Sequence, residues 1–238
     1  MNFFPFKFSF EQVVIDFTKE YIKRFTDPSA LIVLHPSAEG VPPQMLNLMD
    51  KKLVDLINEE LTSYGLPHLA NINIFKKPPN DVQTLHVDMY QWDKAKNKDN
   101  QYSTIKAAYN IPVVGLSGSR MVWYNGKFEI EESVAISSSG KKILYYGVKW
   151  DGDPQQDPRE LDFSTSNFVK INVPHHVYVG PEETRVVTSL RFKGNPTFES
   201  IYNTLIKQDN TDVYRNEYYD VLTTEEALLE GNIVRGYN

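Results

Sequence analysis

The chain has no cysteine in its 238 residues. That absence excludes disulfides, thiolate-held zinc and cysteine nucleophiles, and it leaves the redox compartment unread. Positive charge is not in excess either: 25 Lys and Arg stand against 31 Asp and Glu, giving a formal net charge of −6. With no broad basic field to attract a phosphate backbone, generic nucleic-acid binding is not favoured. No apolar run approaches the roughly 18 residues that a membrane-spanning helix needs. The opening stretch MNFFPFKFSFEQ lacks a basic leader, a continuous apolar stretch and a small-residue cleavage site, so a signal peptide is not expected and the expected setting is cytoplasmic. Glycine-rich phosphate loops, GxSxG and HExxH are missing as well. What is plentiful is aromatic: 14 Tyr and 13 Phe lean toward β structure. The length suits a single domain with a sizeable core.

Helical periodicity marks two early segments. Val13, Val14, Phe17, Tyr21, Ile22 and Phe25 recur at helical spacing and Asp27-Pro28 ends them. ALIVLHP reads as a short strand. A second amphipathic helix is expected from Pro42-Pro43 to about Tyr64, with Leu46, Met49, Leu53, Leu56, Ile57 and Leu61 on one side. From Leu69 the pattern changes to short apolar-aromatic segments divided by turn residues such as KKPPND, YNGK, SSSGKK and DGDPQQDP. Strands at this spacing predict an antiparallel sandwich or barrel. Helical patterning returns around Phe198–Ile206, and the acidic, Tyr-rich tail from about Asp209 has no clear placement. The expected fold class is α+β, mainly β, in one domain. Residues 1–68 form a helical N-terminal part, 69–192 a β core and 193–238 a C-terminal extension.

Of the five histidines, three fall in the β region. His86 and Asp88 stand two apart in TLHVDMYQ, so in a strand they share a face and can meet one ion. A pair like this also arises as a plain surface pair. His175 and His176 follow about ninety residues later in INVPHHVYVG. Adjacent strand residues face opposite sides, so one of the two can complete a facial two-histidine, one-carboxylate site, which leaves coordination positions open. In TRVVTSLRF, Arg185, Val187, Ser189 and Arg191 share one strand face and Val186, Thr188, Leu190 and Phe192 the other. An arginine there can grip a carboxylate with a bidentate fork, or form a surface salt bridge.

The order His86-Val87-Asp88, then Pro174-His175-His176-Val177, then Thr184-Arg185 resembles the Fe(II)/2-oxoglutarate-dependent dioxygenase superfamily, most of all its prolyl-hydroxylase-like branch. AAYNIPV resembles the family's strand after the metal pair, and the similarity covers about Asn71–Phe192. The resemblance implies a double-stranded β-helix (jelly-roll) barrel with helical additions. It implies iron ligands at His86, Asp88 and His175, with His176 the alternative at the doubled histidine. It implies that Arg185, ten residues after His175, binds the far carboxylate of 2-oxoglutarate, supported by Ser189, with Tyr109 or Asn110 lining the co-substrate pocket. Val187 stands where many members have serine or threonine, and Arg191 is a second candidate anchor. The implied activity is hydroxylation of an unidentified substrate with O₂, releasing succinate and CO₂. Two other readings are carried beside it: a non-catalytic jelly-roll binding or structural protein with a vestigial metal site, and a cupin-type metal enzyme that uses no 2-oxoglutarate. The segments WDKAKNKDN and WDGDPQQDP are read as solvated turns or as lids over the substrate.

Overall fold

The structure is a computed structural model that describes residues 1–41, 43, 46–88, 104–136 and 142–207. It is mainly β. The elements in chain order are β1 (Phe3–Pro5), α1 (Glu11–Ile22), β2 (Ala30–Leu34), α2 (Lys51–Ser63), β3 (Leu69–Lys77), β4 (Val82–His86), β5 (Ala107–Val114), β6 (Arg120–Ile136), β7 (Lys142–Asp162), β8 (Asn167–Lys170), β9 (His175–Tyr178), β10 (Arg185–Phe192) and α3 (Phe198–Lys207). The larger sheet has six strands in the order β1-β8-β5-β10-β3-β2, and the smaller one pairs β4, β7, β6 and β9. All named strand pairings are antiparallel, an arrangement consistent with a jelly-roll-like fold.

The two faces of the larger sheet have different covers. One packs against the helices and buries Phe4, Phe6, Phe8, Phe10, Ile72, Ile74, Tyr109, Phe168, Leu190 and Phe192 with Val14, Ile57 and Leu61. The other meets the smaller sheet, where Met121, Trp123, Leu161 and Val177 pack on Ala108, Val169 and Val187. Strand β10 lies between these layers, so every one of its residues is buried. α1 docks on β10 through a hydrogen bond of 2.7 Å between the buried hydroxyls of Thr18 and Thr188.

Three departures from the sequence reading have local causes. α2 begins at Lys51, because the Asp50 side chain accepts hydrogen bonds from the Lys52 and Leu53 amides and caps the helix there. Just upstream, Leu48 forms a parallel bridge with His35 instead of a helical turn. YNGK and DGDPQQDP, expected as turns, lie inside the long strands β6 and β7. The register jumps there from Asn125↔Gln155 to Lys127↔Asp151, so Gly152, Asp153 and Pro154 bulge out opposite Gly126, whose φ is +142°. Proline is tolerated in such bulges because no ladder N–H is needed. Finally, the N-terminal part is not purely helical. β1 and β2 form the two outer strands of the larger sheet.

WDKAKNKDN and the tail from Asp209 lie outside the described residues. No helix among those described is long and apolar enough to cross a membrane.

Candidate metal centre

His86 ends β4, and its Cα partner across the sheet is His175, the first residue of β9. That register puts the two imidazole rings 4.4 Å apart between centroids. Asp88 lies just past the strand end, but its backbone is pinned by two hydrogen bonds. The Asp88 amide donates to Ile171 O at 2.9 Å, and the Ile105 amide donates to Asp88 O at 2.8 Å. The intervening Val87 turns away and packs with Phe128, Ile130 and Val148. Asp88 Oδ1 consequently sits 3.3 Å from His86 Nε2 and 3.7 Å from His175 Nε2. One ligand atom from each of His86, Asp88 and His175 lies within 4.8 Å of the others, a group that could hold one metal ion.

Both imidazoles are oriented by backbone. His86 Nδ1 lies 2.6 Å from Thr84 O and His175 Nδ1 lies 2.8 Å from Val173 O. A carbonyl only accepts, so each Nδ1 carries the proton and each Nε2 keeps its lone pair toward Asp88. The Gln83 amide donates to His86 Nε2 at 3.1 Å. Burial is the main force holding His175 neutral, reinforced by His86 and opposed by Asp88, and its pKa is lowered to about 3. Burial pushes the Asp88 carboxyl the other way, but the Arg191 guanidinium, His86 and His175 together hold it well below the usual carboxylate range. The trio thus presents two imidazole nitrogens and one carboxylate.

A cavity of about 370 Å³, solvent at its mouth included, opens from these residues between the two sheets. Both arginines of β10 line it, but their surroundings differ. Arg191 Nη2 donates to Asp88 Oδ2 at 2.6 Å, and its Nη1 donates to Ser189 Oγ at 2.7 Å. Ser189 in turn donates to Asn110 Oδ1. Arg185 is 4% exposed, lies 4.0 Å above the Phe163 ring, and makes no hydrogen bond or ion pair among the described residues. Burial lowers its pKa to about 9, partly offset by Asp81, so it remains a cation at neutral pH. A buried cation without a directly bonded counter-charge is a costly feature for a fold to keep.

Of the residues that the sequence singled out, His86, Asp88, His175, Asn110, Arg185, Ser189 and Arg191 converge on this cavity. Tyr109 does not. Its side chain points to the opposite face of β5, where the hydroxyl donates to Phe6 O and to the buried Glu11 carboxylate. His176 also points away and stacks beside Tyr124 and Tyr178. Ser189 bonds to Arg191, not to Arg185 as expected. Sequence reasoning missed Gln83 and Phe163. Neither carries a local signal: Gln83 reaches the site through the pairing of β4 with β9, and Phe163 from the turn that follows β7.

No protein-family model matches the chain. No curated protein matches it either. Similar solved structures include HygX from Streptomyces hygroscopicus with nickel and 2-oxoglutarate bound, at 10% identity over 79% of this chain and 80% of that one, TM-score 0.44. HygX with iron bound is similar at 11% identity over 79% of each chain, TM-score 0.38. A Pseudomonas putida prolyl-4-hydroxylase is similar at 14% identity over 77% of this chain and 88% of that one, TM-score 0.29. At these identities no residue role transfers. By its own geometry this is a mainly β, jelly-roll-like chain with a His-Asp-His candidate metal centre.

Proposed function

We propose that the chain is an Fe(II)- and 2-oxoglutarate-dependent oxygenase that hydroxylates its substrate, built as one domain on a double-stranded β-helix core over residues 69–192. The observation that carries this reading is the pairing, within one cavity, of a His86/Asp88/His175 donor set with a buried cation, Arg185, that makes no hydrogen bond or ion pair among the described residues. Two imidazole nitrogens and one carboxylate suit Fe(II) and leave room for exogenous ligands. Iron and 2-oxoglutarate, when bound, supply the oxidising power: O₂ is reduced while 2-oxoglutarate becomes succinate and CO₂.

The residues of the chain divide the remaining work. His86 Nε2, Asp88 Oδ1 and His175 Nε2 hold the metal, and the Thr84 and Val173 carbonyls fix the two rings. Arg185 takes the far carboxylate of the dicarboxylate, compensating a charge that would otherwise leave water unpaired. Arg191 braces Asp88 from behind through Oδ2, leaving Oδ1 toward the histidines. Met121, Ile171, Val177 and Val187 line the cavity with apolar surface and exclude water.

The reading is tested by titrating the protein anaerobically with Fe(II), then with 2-oxoglutarate, and then measuring succinate release in air. The expected result is one metal per chain and saturable 2-oxoglutarate binding that requires it. Metal binding without any 2-oxoglutarate binding at millimolar concentration overturns the oxygenase in favour of a cupin-type metal enzyme. Absence of both points to a vestigial site.

A further inference from the structure

Phe163 stands in the turn between β7 and β8. It is 1% exposed and packs in the core between the two sheets with Met121, Ile171, Val177 and Val187, and all five line the cavity. The Arg185 guanidinium carbon lies over its ring, 4.0 Å from the centroid. Two other arginines rest on rings among the described residues, Arg24 on Tyr21 at 5.0 Å and Arg120 on Tyr178 at 4.9 Å, and both are exposed. The contact at Phe163 is shorter and out of water, where the attraction between a cation and a ring face is strongest.

No polar group shares in holding Arg185. Its guanidinium makes no hydrogen bond or ion pair among the described residues, and its Nε is buried. Asp81 acts on its charge without a bond, because the Asp81 carboxylate is taken by Lys77 at 3.5 Å. Six residues along the same strand face, Arg191 is held the other way: Asp88 and Ser189 take its Nη2 and Nη1 donors. An ion pair fixes a guanidinium by engaging its N–H groups and its charge. A ring fixes it by the face and uses neither, because the N–H groups lie in the guanidinium plane.

We infer that Phe163 is the positioning residue of the co-substrate end: its ring holds the Arg185 guanidinium by the face and leaves the fork of N–H donors open to the far carboxylate. The inference deepens the oxygenase reading and rests on it. A long side chain that must be immobilised as its ligand arrives lowers affinity, and one already held avoids that loss. The bidentate grip on a carboxylate also needs the planar fork in a defined orientation. Removing the ring is therefore expected to weaken the dicarboxylate and to spare the metal donors, which the Thr84 and Val173 carbonyls and Arg191 hold in place.

The experiment uses the full chain and the variants Phe163→Leu, Phe163→Tyr and Arg185→Leu, with Phe163→Met in place of leucine should that variant not fold. In the metal-free protein, the NMR signal of the Arg185 Nε–H is identified by its loss in Arg185→Leu. It is expected upfield of the other arginines, displaced by the ring. It should return toward them in Phe163→Leu and stay displaced in Phe163→Tyr. In the iron-loaded protein, calorimetry is expected to show 2-oxoglutarate binding weakened about tenfold by Phe163→Leu and restored by Phe163→Tyr, with iron affinity unchanged. In the Arg185→Leu background, Phe163→Leu is expected to cause no further loss. An Arg185 signal indifferent to Phe163→Leu overturns the inference, and so does undiminished 2-oxoglutarate binding by that variant. An equal loss in both backgrounds overturns it too, because Phe163 then acts on the fold or on the ligand directly. A wild type that binds no 2-oxoglutarate strikes the oxygenase reading alone, and the Arg185 signal still decides whether Phe163 holds the guanidinium.

Discussion

The two faces of the six-stranded sheet follow opposite rules. On the helix side the buried Glu11 carboxylate and the Thr18–Thr188 hydroxyl pair are satisfied. The Glu11 carboxylate receives the Phe8 amide at 2.8 Å, the Ser166 hydroxyl at 2.8 Å and the Tyr109 hydroxyl, all beneath a stack of phenylalanines. On the cavity side, buried Arg185 makes no hydrogen bond or ion pair among the described residues. One face is built for stability, and the other holds unmet bonding capacity at some cost to it. The same strand, β10, supplies both through its two-residue alternation. Substitutions should therefore destabilise uniformly on the helix side, and on the cavity side they should trade binding against stability.

The largest effect is expected at Asp88, where the two demands meet. Asp88→Ala removes a metal donor and strands the buried Arg191 charge. It should abolish metal binding by calorimetry and cost about 3–5 kcal/mol in denaturant unfolding. His86→Ala should abolish metal binding too, without the stability loss. On the helix side, Phe168→Ala opens a cavity among Phe4, Phe6, Phe8 and Tyr109. A loss of about 3–5 kcal/mol is expected, with the metal affinity of the folded fraction unchanged. Were Phe168→Ala to alter metal affinity instead, the division between the faces would fail.

Arg185 sharpens the contrast because its two readouts should move in opposite directions. Arg185→Leu should weaken 2-oxoglutarate binding about a hundredfold, from about 3 kcal/mol of lost charge pairing. The same change should leave Fe(II) binding intact and hold or raise the melting temperature, since no partner is left behind. A drop in stability would mean that Arg185 is a structural cation.

The pH response of the metal-free protein comes next in size. His175 has a folded pKa of about 3 against an unfolded value of 6.5. Between those values the unfolded chain binds a proton that the folded chain refuses, so stability falls as pH falls from about 6.5 toward 3. The slope should reach up to about 1.4 kcal/mol per pH unit. From about 3.8 downward the depressed Asp88 adds a loss of the same sign. Urea midpoints across pH 4–7 measure it, and His175→Phe should flatten the curve.

How much of this was legible in the sequence depended on range. The His86-x-Asp88 spacing, the later Pro174-His175 and the alternation of Arg185 through Arg191 are local patterns with period two, and each side chain points as that period requires. Local patterns also located α1, α3 and most strands. Pro154 and Pro158 misled, because a bulge inside a long ribbon has the same composition as a turn. β1 was invisible, since its three residues become a strand only by pairing with Asn167–Val169. The choice between Tyr109 and Asn110 was equally unreadable. It depends on Asn110 lying opposite Ser189, a register set by residues about eighty positions apart. Arg191 shows the same limit: its alternation is local, but its bond to Asp88 is not.

The smallest expected effect separates two neighbours. His175 and His176 are adjacent in β9, so the pleat sends their rings to opposite sides of the smaller sheet. His175 is buried in the cavity with its Nε2 toward Asp88, whereas half-buried His176 lies 5.5 Å from the Tyr124 ring and 5.7 Å from Tyr178. Burial and the neighbouring His86 lower the pKa of His176 too, so it stacks as a neutral aromatic at physiological pH. Its removal deletes ring contacts worth about 0.5–1.5 kcal/mol and no metal donor. His176→Ala should accordingly shift unfolding by about 1 kcal/mol with Fe(II) affinity unchanged, while His175→Ala should eliminate metal binding. The reverse pattern would show that β9 is shifted by one residue, a slip that exchanges the two faces of a strand and would carry Val177 and Tyr178 with it.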